Sequence, residues 1–320
     1  MRLLDFLPRR FDPEREPPAA PAQPGTQWLI LQQGANPSSD YYIRPEVEAG
    51  GLPVRWRHVE FDTPQEGDLA PGTVVVIVRY LTPRWAEALR VRHRQLARVI
   101  YFMDDDLLTP AHWRGLPVKY RAKLTALCRR MYPSIQALAH EYWTSTPTLA
   151  TRYPAQGMRV IAPRPLPEDI GRSLATPRAE GRVQIFYHGS GVHQAEIQWL
   201  HPVMAEVLAR CPRAHFEIIG DRATHRLYRG LPRARVLYPM NWPNYLAHCR
   251  SLDGHIGLAP LLPSAFNDAR SHAKAFDIAR CAASGLYAAS PAYTGHVPTN
   301  ASLLMDPAAW VEAIVEKATA

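Results

Sequence analysis

The sequence predicts an α/β protein made of two segments, each with its own parallel sheet. Three observations carry that expectation. From Gln27 onward, short apolar or β-branched runs alternate with helical stretches, the pattern of strand–helix–strand units. The alternation breaks once, between Pro163 and Gly181, where prolines and charges give the composition of a linker. Finally, Ser251 to Val297 reads as one complete strand–loop–helix–strand unit, with Lys274 and Asp277 three residues apart on the helix.

Residues 1–25 form a leader. Leu3, Leu4, Phe6, Leu7 and Phe11 with Arg2, Arg9 and Arg10 make a short basic amphipathic stretch, and Pro17, Pro18, Pro21 and Pro24 make a stiff tether. A floppy terminus and an anchor for a membrane or partner both fit that composition.

The N-terminal domain is expected over 26–165. Gln27–Gln32, Val54–Phe61, Thr73–Leu81 and Val99–Met103 read as strands, the third apolar enough to be buried on both faces. Trp85 to Ala97 reads as a helix, and Lys119 to His140 as a second one, bent or split at Pro133. Glu141–Thr146 and Arg159–Ile161 close the domain, and 166–181 is the linker.

The C-terminal domain, 182–320, starts with a strand over Arg182–Tyr187 and the loop His188-Gly189-Ser190-Gly191. A helix follows from Val192 to Arg210, with Pro202 as a kink or restart. Phe216–Ile219 and Val236–Tyr238 are strands, and Tyr245 to Ser251 a short helix. His255 to Leu262 is a strand running into a loop. The next helix is expected to start at an N-cap, Asn267 or Asp268, to pass Arg270, Lys274, Asp277 and Cys281, and to end at Gly285. Leu286–Ala289 resumes the sheet and Asp306 to Thr319 is a terminal helix.

Bulk properties narrow the function classes. With 320 residues and 47% apolar content, the chain can fill two ordinary cores. No run approaches the roughly 18 apolar residues of a membrane span, and no signal-peptide pattern opens the chain. Four scattered cysteines, Cys128, Cys211, Cys249 and Cys281, without a C-x-x-C pair, suggest reduced thiols in a cytoplasmic protein, with neither a zinc site nor a disulfide framework. The net charge of +8 is mostly arginine spread along the chain, without a nucleic-acid signature. Peripheral attraction to the anionic inner face of a membrane fits it at least as well.

The chemistry concentrates on the 251–297 unit. At 100° per residue, Arg270, Lys274, Asp277 and Cys281 share one sector of the helix, opposite Ala275, Phe276, Ala279, Ala282 and Ala283. The alanine-rich side is expected to pack on the sheet. A lysine on the first turns supplies a point charge for phosphate, and a carboxylate one turn on can hold ribose hydroxyls. An i,i+3 ion pair on a solvated helix is the alternative. In the loop before Val192, Gly189 and Gly191 let backbone amides approach a ligand.

The run APLLPSAFNDARSHAKAFDIARCAASGLYAASPAY resembles the nucleotide-sugar-binding half of GT-B glycosyltransferases, especially the retaining, family-4-like group. FYHGSGVHQAEIQWL, FEIIGD and, more loosely, YFMDDDL extend the resemblance over most of Val99 to Val297. It implies two Rossmann-like domains facing across a cleft: the N-terminal one for an acceptor, the C-terminal one for a nucleotide diphosphate sugar. It further implies donor contacts at Gly189, Ser190, Gly191, His193, Arg222, Met240, Asn241, Asn267, Ser271, Lys274 and Asp277. Ser190, Arg222 and Lys274 would offset diphosphate charge, His193 would cap its helix or contact the sugar, and Met240 and Asn241 would meet the base. Asp277 stands where such enzymes usually carry glutamate.

The implied reaction moves a sugar to a hydroxyl of a glycan or lipid-linked acceptor, with retention, without an obligatory metal and without a cofactor. Asp104-Asp105-Asp106 leaves an alternative open, because carboxylates at a strand end also suit a metal-dependent GT-A enzyme; a helix cap and turn before Pro110 is the structural reading. No general base stands out among His58, His93, His112 and His140, so a non-catalytic nucleotide-sugar binder and a GT-B-type epimerase or phosphorylase also remain open.

Overall fold

The protein is described by a computed structural model covering Asp12 and residues 14–169, 181–189 and 191–320. The hydrophobic part of the leader, most of the linker, and Ser190 lie outside these described residues. The chain divides into two compact units, the first running to Arg164 apart from Gly115–Pro117, and the second made of those three residues and the chain from Pro165 onward.

Twelve strands and ten α-helices make up the described fold. In the first unit the strands are β1 (Gln27–Gln32), β2 (Val54–His58), β3 (Thr73–Val78), β4 (Arg98–Met103), β5 (Glu141–Thr144) and β6 (Arg159–Val160). Its helices are α1 (Arg44–Ala49), α2 (Pro83–Arg92), α3 (Val118–Leu127), α4 (Tyr132–Leu138) and α5 (Pro147–Arg152). The six strands form one parallel sheet in the order β2-β1-β3-β4-β5-β6. β3 lies at its centre because every residue of TVVVIV is buried, as a strand covered by helices on both faces requires. Burying each such valine or isoleucine contributes roughly 1.5–3 kcal/mol relative to exposure.

The second unit repeats the plan. Its strands are β7 (Val183–Tyr187), β8 (Ala214–Ile219), β9 (Ala234–Leu237), β10 (Ile256–Ala259), β11 (Ser284–Ala288) and β12 (Ser302–Leu303). Its helices are α6 (Gln194–Arg210), α7 (Arg222–Tyr228), α8 (Trp242–Ser251), α9 (Lys274–Arg280) and α10 (Pro307–Thr319). The sheet is again parallel, ordered β12-β11-β10-β7-β8-β9. α6 and α10 pack together through an edge-to-face contact of Trp199 and Trp310, ring centres 5.5 Å apart.

Several local expectations are corrected. α6 runs unbroken through Pro202. The helical stretch before β5 is split as expected, with the break just ahead of Pro133, which takes a first-turn position in α4 where its missing amide costs nothing. The helix after β10 is much shorter than its sequence pattern. Asn267 does not cap it; its side-chain amide donates to Glu196 Oε1 at 2.9 Å and to the Leu262 carbonyl at 2.8 Å, pinning the loop instead. Residues 267–269 form one 3₁₀ turn, Arg270 is extended, and α9 begins only at Lys274.

The buried face of α9 is also the reverse of the expected one. Asp277 and Arg280 are buried and Ala279 is exposed, because the two charges pair with each other inside the unit. Nor does Gly285 end the helix. The left-handed residue there is Ala282, at φ 54°. Gly285 lies in β11, where a Cβ would stand 2.1–2.3 Å from the Tyr287 ring.

Candidate functional site

The order of the second sheet decides where a ligand can bind in this unit. From β7 the chain winds outward through β8 and β9, then returns beside β7 for β10 and winds the other way. Loops leaving the carboxyl ends of the central strands β7 and β10 therefore part from each other, and such a switch point opens a crevice beyond the carboxyl ends of the strands. His188–Gly191 follows β7, and the loop leading to Lys274 follows β10.

Lys274, the first residue of α9, joins these two segments. Its ammonium donates to the His188 carbonyl at 2.7 Å and to Asp277 Oδ2 at 2.9 Å. The positive charge is thus held against the start of the glycine loop. Gly189 is required there, since a Cβ would meet the Tyr187 ring and hydroxyl at 2.7–2.8 Å, whereas a Cβ on Gly191 would enter open space.

The lysine–aspartate pair is not a solvated surface pair: the side chains are 24% and 10% exposed. Asp277 Oδ1 accepts from Arg280 Nη1 at 3.0 Å. Fully buried Arg280 donates through Nε to Asp169 Oδ2 at 2.5 Å and lies 5.6 Å from the centre of the Trp242 ring. Asp169 also takes Arg250 Nε at 3.1 Å. Alternating charges thus run Lys274, Asp277, Arg280, Asp169, Arg250, with a cation on each oxygen of Asp277. The chain fixes the carboxylate one turn beyond the lysine.

A second polar group lies at the start of α6. His193 stands at the N-terminus of that helix without capping it. Its Nε2 is 2.9 Å from Arg270 Nη1, and its Nδ1 is 3.5 Å from Glu196 Oε2. A guanidinium can only donate, so Nε2 is the acceptor and Nδ1 carries the proton toward Glu196. Burial, reinforced by the Arg270 charge, holds the imidazole below its ordinary pKa. Burial acts to raise the Glu196 pKa, yet the hydrogen bonds from His193 and from the Leu262 amide keep it below the usual range. Glu196 also receives Asn267, so His193, Arg270 and Asn267 are tied into one network.

The remaining expected residues are less closely joined. Arg222 is exposed at the first position of α7, after the carboxyl end of β8. Asn241 accepts the Asn244 amide at 3.0 Å as the N-cap of α8, and Met240 precedes it, half-buried. Ser271 Oγ lies 3.4 Å from the Ala273 amide, in the turn before α9. Arg270, Arg280, Asp169 and Glu196 were not among the expected site residues. An i,i+3 relation to Asp277 could have pointed to Arg280; nothing local points to Asp169, which sits in the proline-rich stretch.

In the first unit, Asp104 and Asp105 share Arg79, and Asp106 turns to a separate set of partners. Asp104 accepts the Ser38 hydroxyl at 2.6 Å and lies 3.3 Å from Arg79 Nε, while Asp105 takes Arg79 Nη2 at 2.7 Å. Asp106 is fully buried and takes His112 and Arg152 at 2.7 Å each, Tyr153 at 2.5 Å and the Thr109 amide at 3.3 Å. That last bond is the turn before Pro110. Burial raises the Asp104 pKa against the pull of Arg79, whose backbone is left-handed at φ 66°.

No known family profile matches the chain, and no curated protein matches it. Solved structures do. A UDP-forming α,α-trehalose-phosphate synthase from Burkholderia xenovorans is similar at 11% identity and a TM-score of 0.57, covering 92% of this chain and 91% of that one. A trehalose-6-phosphate protein from E. coli bound with UDP-2-fluoro glucose is similar at 10% identity and TM-score 0.56, covering 92% and 93%. HepE of Anabaena, in complex with UDP and glucose, is similar at 13% identity and TM-score 0.51, covering 91% and 89%. The chain has the fold of the GT-B glycosyltransferases.

Proposed function

We propose that this protein is a glycosyltransferase that moves a sugar from a nucleotide diphosphate sugar to an acceptor hydroxyl. One observation carries the reading: the Lys274 ammonium is held against the glycine loop at the switch point of a parallel sheet, one turn from a fixed carboxylate. The fold adds support, since similar proteins were solved with UDP, with glucose or with a fluorinated UDP-glucose.

On this reading the diphosphate lies along Gly189–Gly191, and Lys274 turns from Asp277 to a phosphate oxygen. With the lysine moved, Asp277 Oδ2 can accept a ribose hydroxyl, while Arg280 keeps the carboxylate in place. Ser190 and exposed Arg222 add donors for the diphosphate, the Met240–Asn241 segment meets the base, and His193 faces the sugar. Ser271 and Asn267 hold the loop before α9 in shape. Lys274 and Arg222, stabilising charge on the departing diphosphate, supply the rate with no metal bridging it. The acceptor, a glycan or lipid-linked hydroxyl, belongs to the first unit, and the transfer retains anomeric configuration. No helix among the described residues is long and apolar enough to cross a membrane. Contact with a membrane-borne acceptor is read as peripheral from the net charge of +8.

A thermal-shift screen over UDP-, GDP-, ADP- and CMP-sugars tests the reading, because a ligand of the native state raises its melting temperature. One nucleotide class should raise it, and the same sugar should be released slowly into water without acceptor or added manganese. Absence of a shift with every donor overturns the reading; a shift without release leaves a binding protein.

A further inference from the structure

We propose that His188, Cys249 and Cys281 form a buried binding site for one zinc-type divalent cation. The three come from separate elements: the residue after β7, the interior of α8 and the residue after α9. All are buried, and one donor atom from each lies within 4.8 Å of the others. His188 Nδ1 stands 4.0 Å from Cys249 Sγ. In a tetrahedral zinc site, with bonds of about 2.3 Å to sulfur and about 2.0 Å to nitrogen, that separation is roughly 3.5 Å. A shift of about half an ångström closes the difference, within the reach of a side-chain rotation.

The other side of the imidazole is arranged as it is in metal-bound histidines. His188 Nε2 lies 3.2 Å from Glu217 Oε1, an oxygen that His248 Nε2 also approaches at 2.7 Å. An ionised carboxylate only accepts, so Nε2 carries the hydrogen. With Nε2 holding its hydrogen toward Glu217, Nδ1 is the nitrogen that faces Cys249 Sγ and would coordinate, giving up any proton it carries when the metal binds. A carboxylate behind a ligating histidine fixes ring orientation and tautomer and strengthens the ligand. Phe186 and Tyr245 pack on the His188 ring at 4.7 and 5.7 Å, which shields the cluster. One nitrogen and two soft sulfurs select zinc over magnesium or calcium. The fourth position would take a small ligand such as water. On binding, the sulfurs coordinate as thiolates and any proton on them passes to solvent.

His188, Glu217 and His248 form another group within the same distance. It would use the opposite nitrogen of His188 and lacks sulfur. The thiol-bearing group is favoured because all three of its residues are buried, whereas His248 is partly exposed. A loaded metal would also brace the donor loop, since the His188 carbonyl receives Lys274.

Cobalt substitution reads the site directly. Full-length protein stripped by chelator and titrated with Co²⁺ should develop a thiolate-to-cobalt charge-transfer band that saturates at one equivalent and is displaced by Zn²⁺. Cys249→Ser and Cys281→Ser should lose it. Because either serine variant could fail to fold, Glu217→Gln is the second probe: it keeps all three ligands and should retain the band while binding Co²⁺ about 10- to 100-fold more weakly. A folded wild-type protein without the band overturns the proposal. So does a band unchanged in both cysteine variants, or cobalt binding without a thiolate band that disappears in His248→Ala.

Discussion

Replacing Asp277 by asparagine removes one negative charge from the middle of a buried ion chain. Leaving a buried charge without its partner costs about 3–5 kcal/mol. Three features reduce that here. Asparagine keeps one acceptor oxygen, Arg280 keeps Asp169 at 2.5 Å, and partly exposed Lys274 keeps the His188 carbonyl at 2.7 Å. We therefore expect a loss of about 2–3 kcal/mol, below the usual range but well above the 0–1 kcal/mol of an exposed pair. Urea unfolding followed by tryptophan fluorescence measures it, and Trp242 beside Arg280 is a local reporter. With a slope of about 2 kcal/mol per molar urea, the midpoint should fall by about 1 M or more. Glu312→Gln, which breaks the exposed Arg210–Glu312 pair in the same unit, is the control and should leave the midpoint almost unmoved. Equal midpoints for the two variants would refute the ion chain as a stabilising element.

Two further outcomes are expected. Gly189→Ala should displace the Tyr187 ring and weaken nucleotide binding severalfold, while Gly191→Ala should not, and equal effects in calorimetric titration would contradict the packing at the loop. The second concerns pH. Burial lowers His140 and His272 to about 4 from an ordinary 6.5, and the neighbouring His93 and His296 respectively add to the shift. Between those values the unfolded chain binds more protons, so stability is present above pH 6.5 and is lost as pH falls toward 4. Melting temperature should decline from pH 6.5 downward, and less steeply in His140→Asn, whose oxygen can replace Nδ1 as acceptor for the Val99 amide. A flat profile from 6.5 to 5 would contradict it.

The sheets were legible because their strands are continuous apolar or β-branched runs. TVVVIV in β3 leaves no other reading, and parallel order follows from intervening helices. Lys274 and Asp277 were legible because i,i+3 spacing puts both on one side of a helix. What surrounds them was not. The helix pattern from 267 to 281 is locally consistent, yet Asn267 gains more by bonding Glu196 and Leu262, which no local rule reveals. Alanines looked like the buried face of α9 because a paired buried arginine has no sequence signature; its partner Asp169 is distant in the chain. His188, Cys249 and Cys281 fit no short-spacing motif, so only the folded chain brings them together.

Calorimetric titration of wild type and Lys274→Ala with a nucleoside diphosphate and with its bare nucleoside tests the donor site most directly. UDP and uridine are the first pair, since UDP occupies a similar fold. A lost charge-assisted contact costs roughly 1.5–3 kcal/mol, so Lys274→Ala should bind UDP about ten- to a hundredfold more weakly. Uridine should bind both proteins alike, because the lysine is expected to meet phosphate only. Unchanged UDP affinity in a folded Lys274→Ala protein, or an equal loss for UDP and uridine, would contradict the placement of the diphosphate at Lys274.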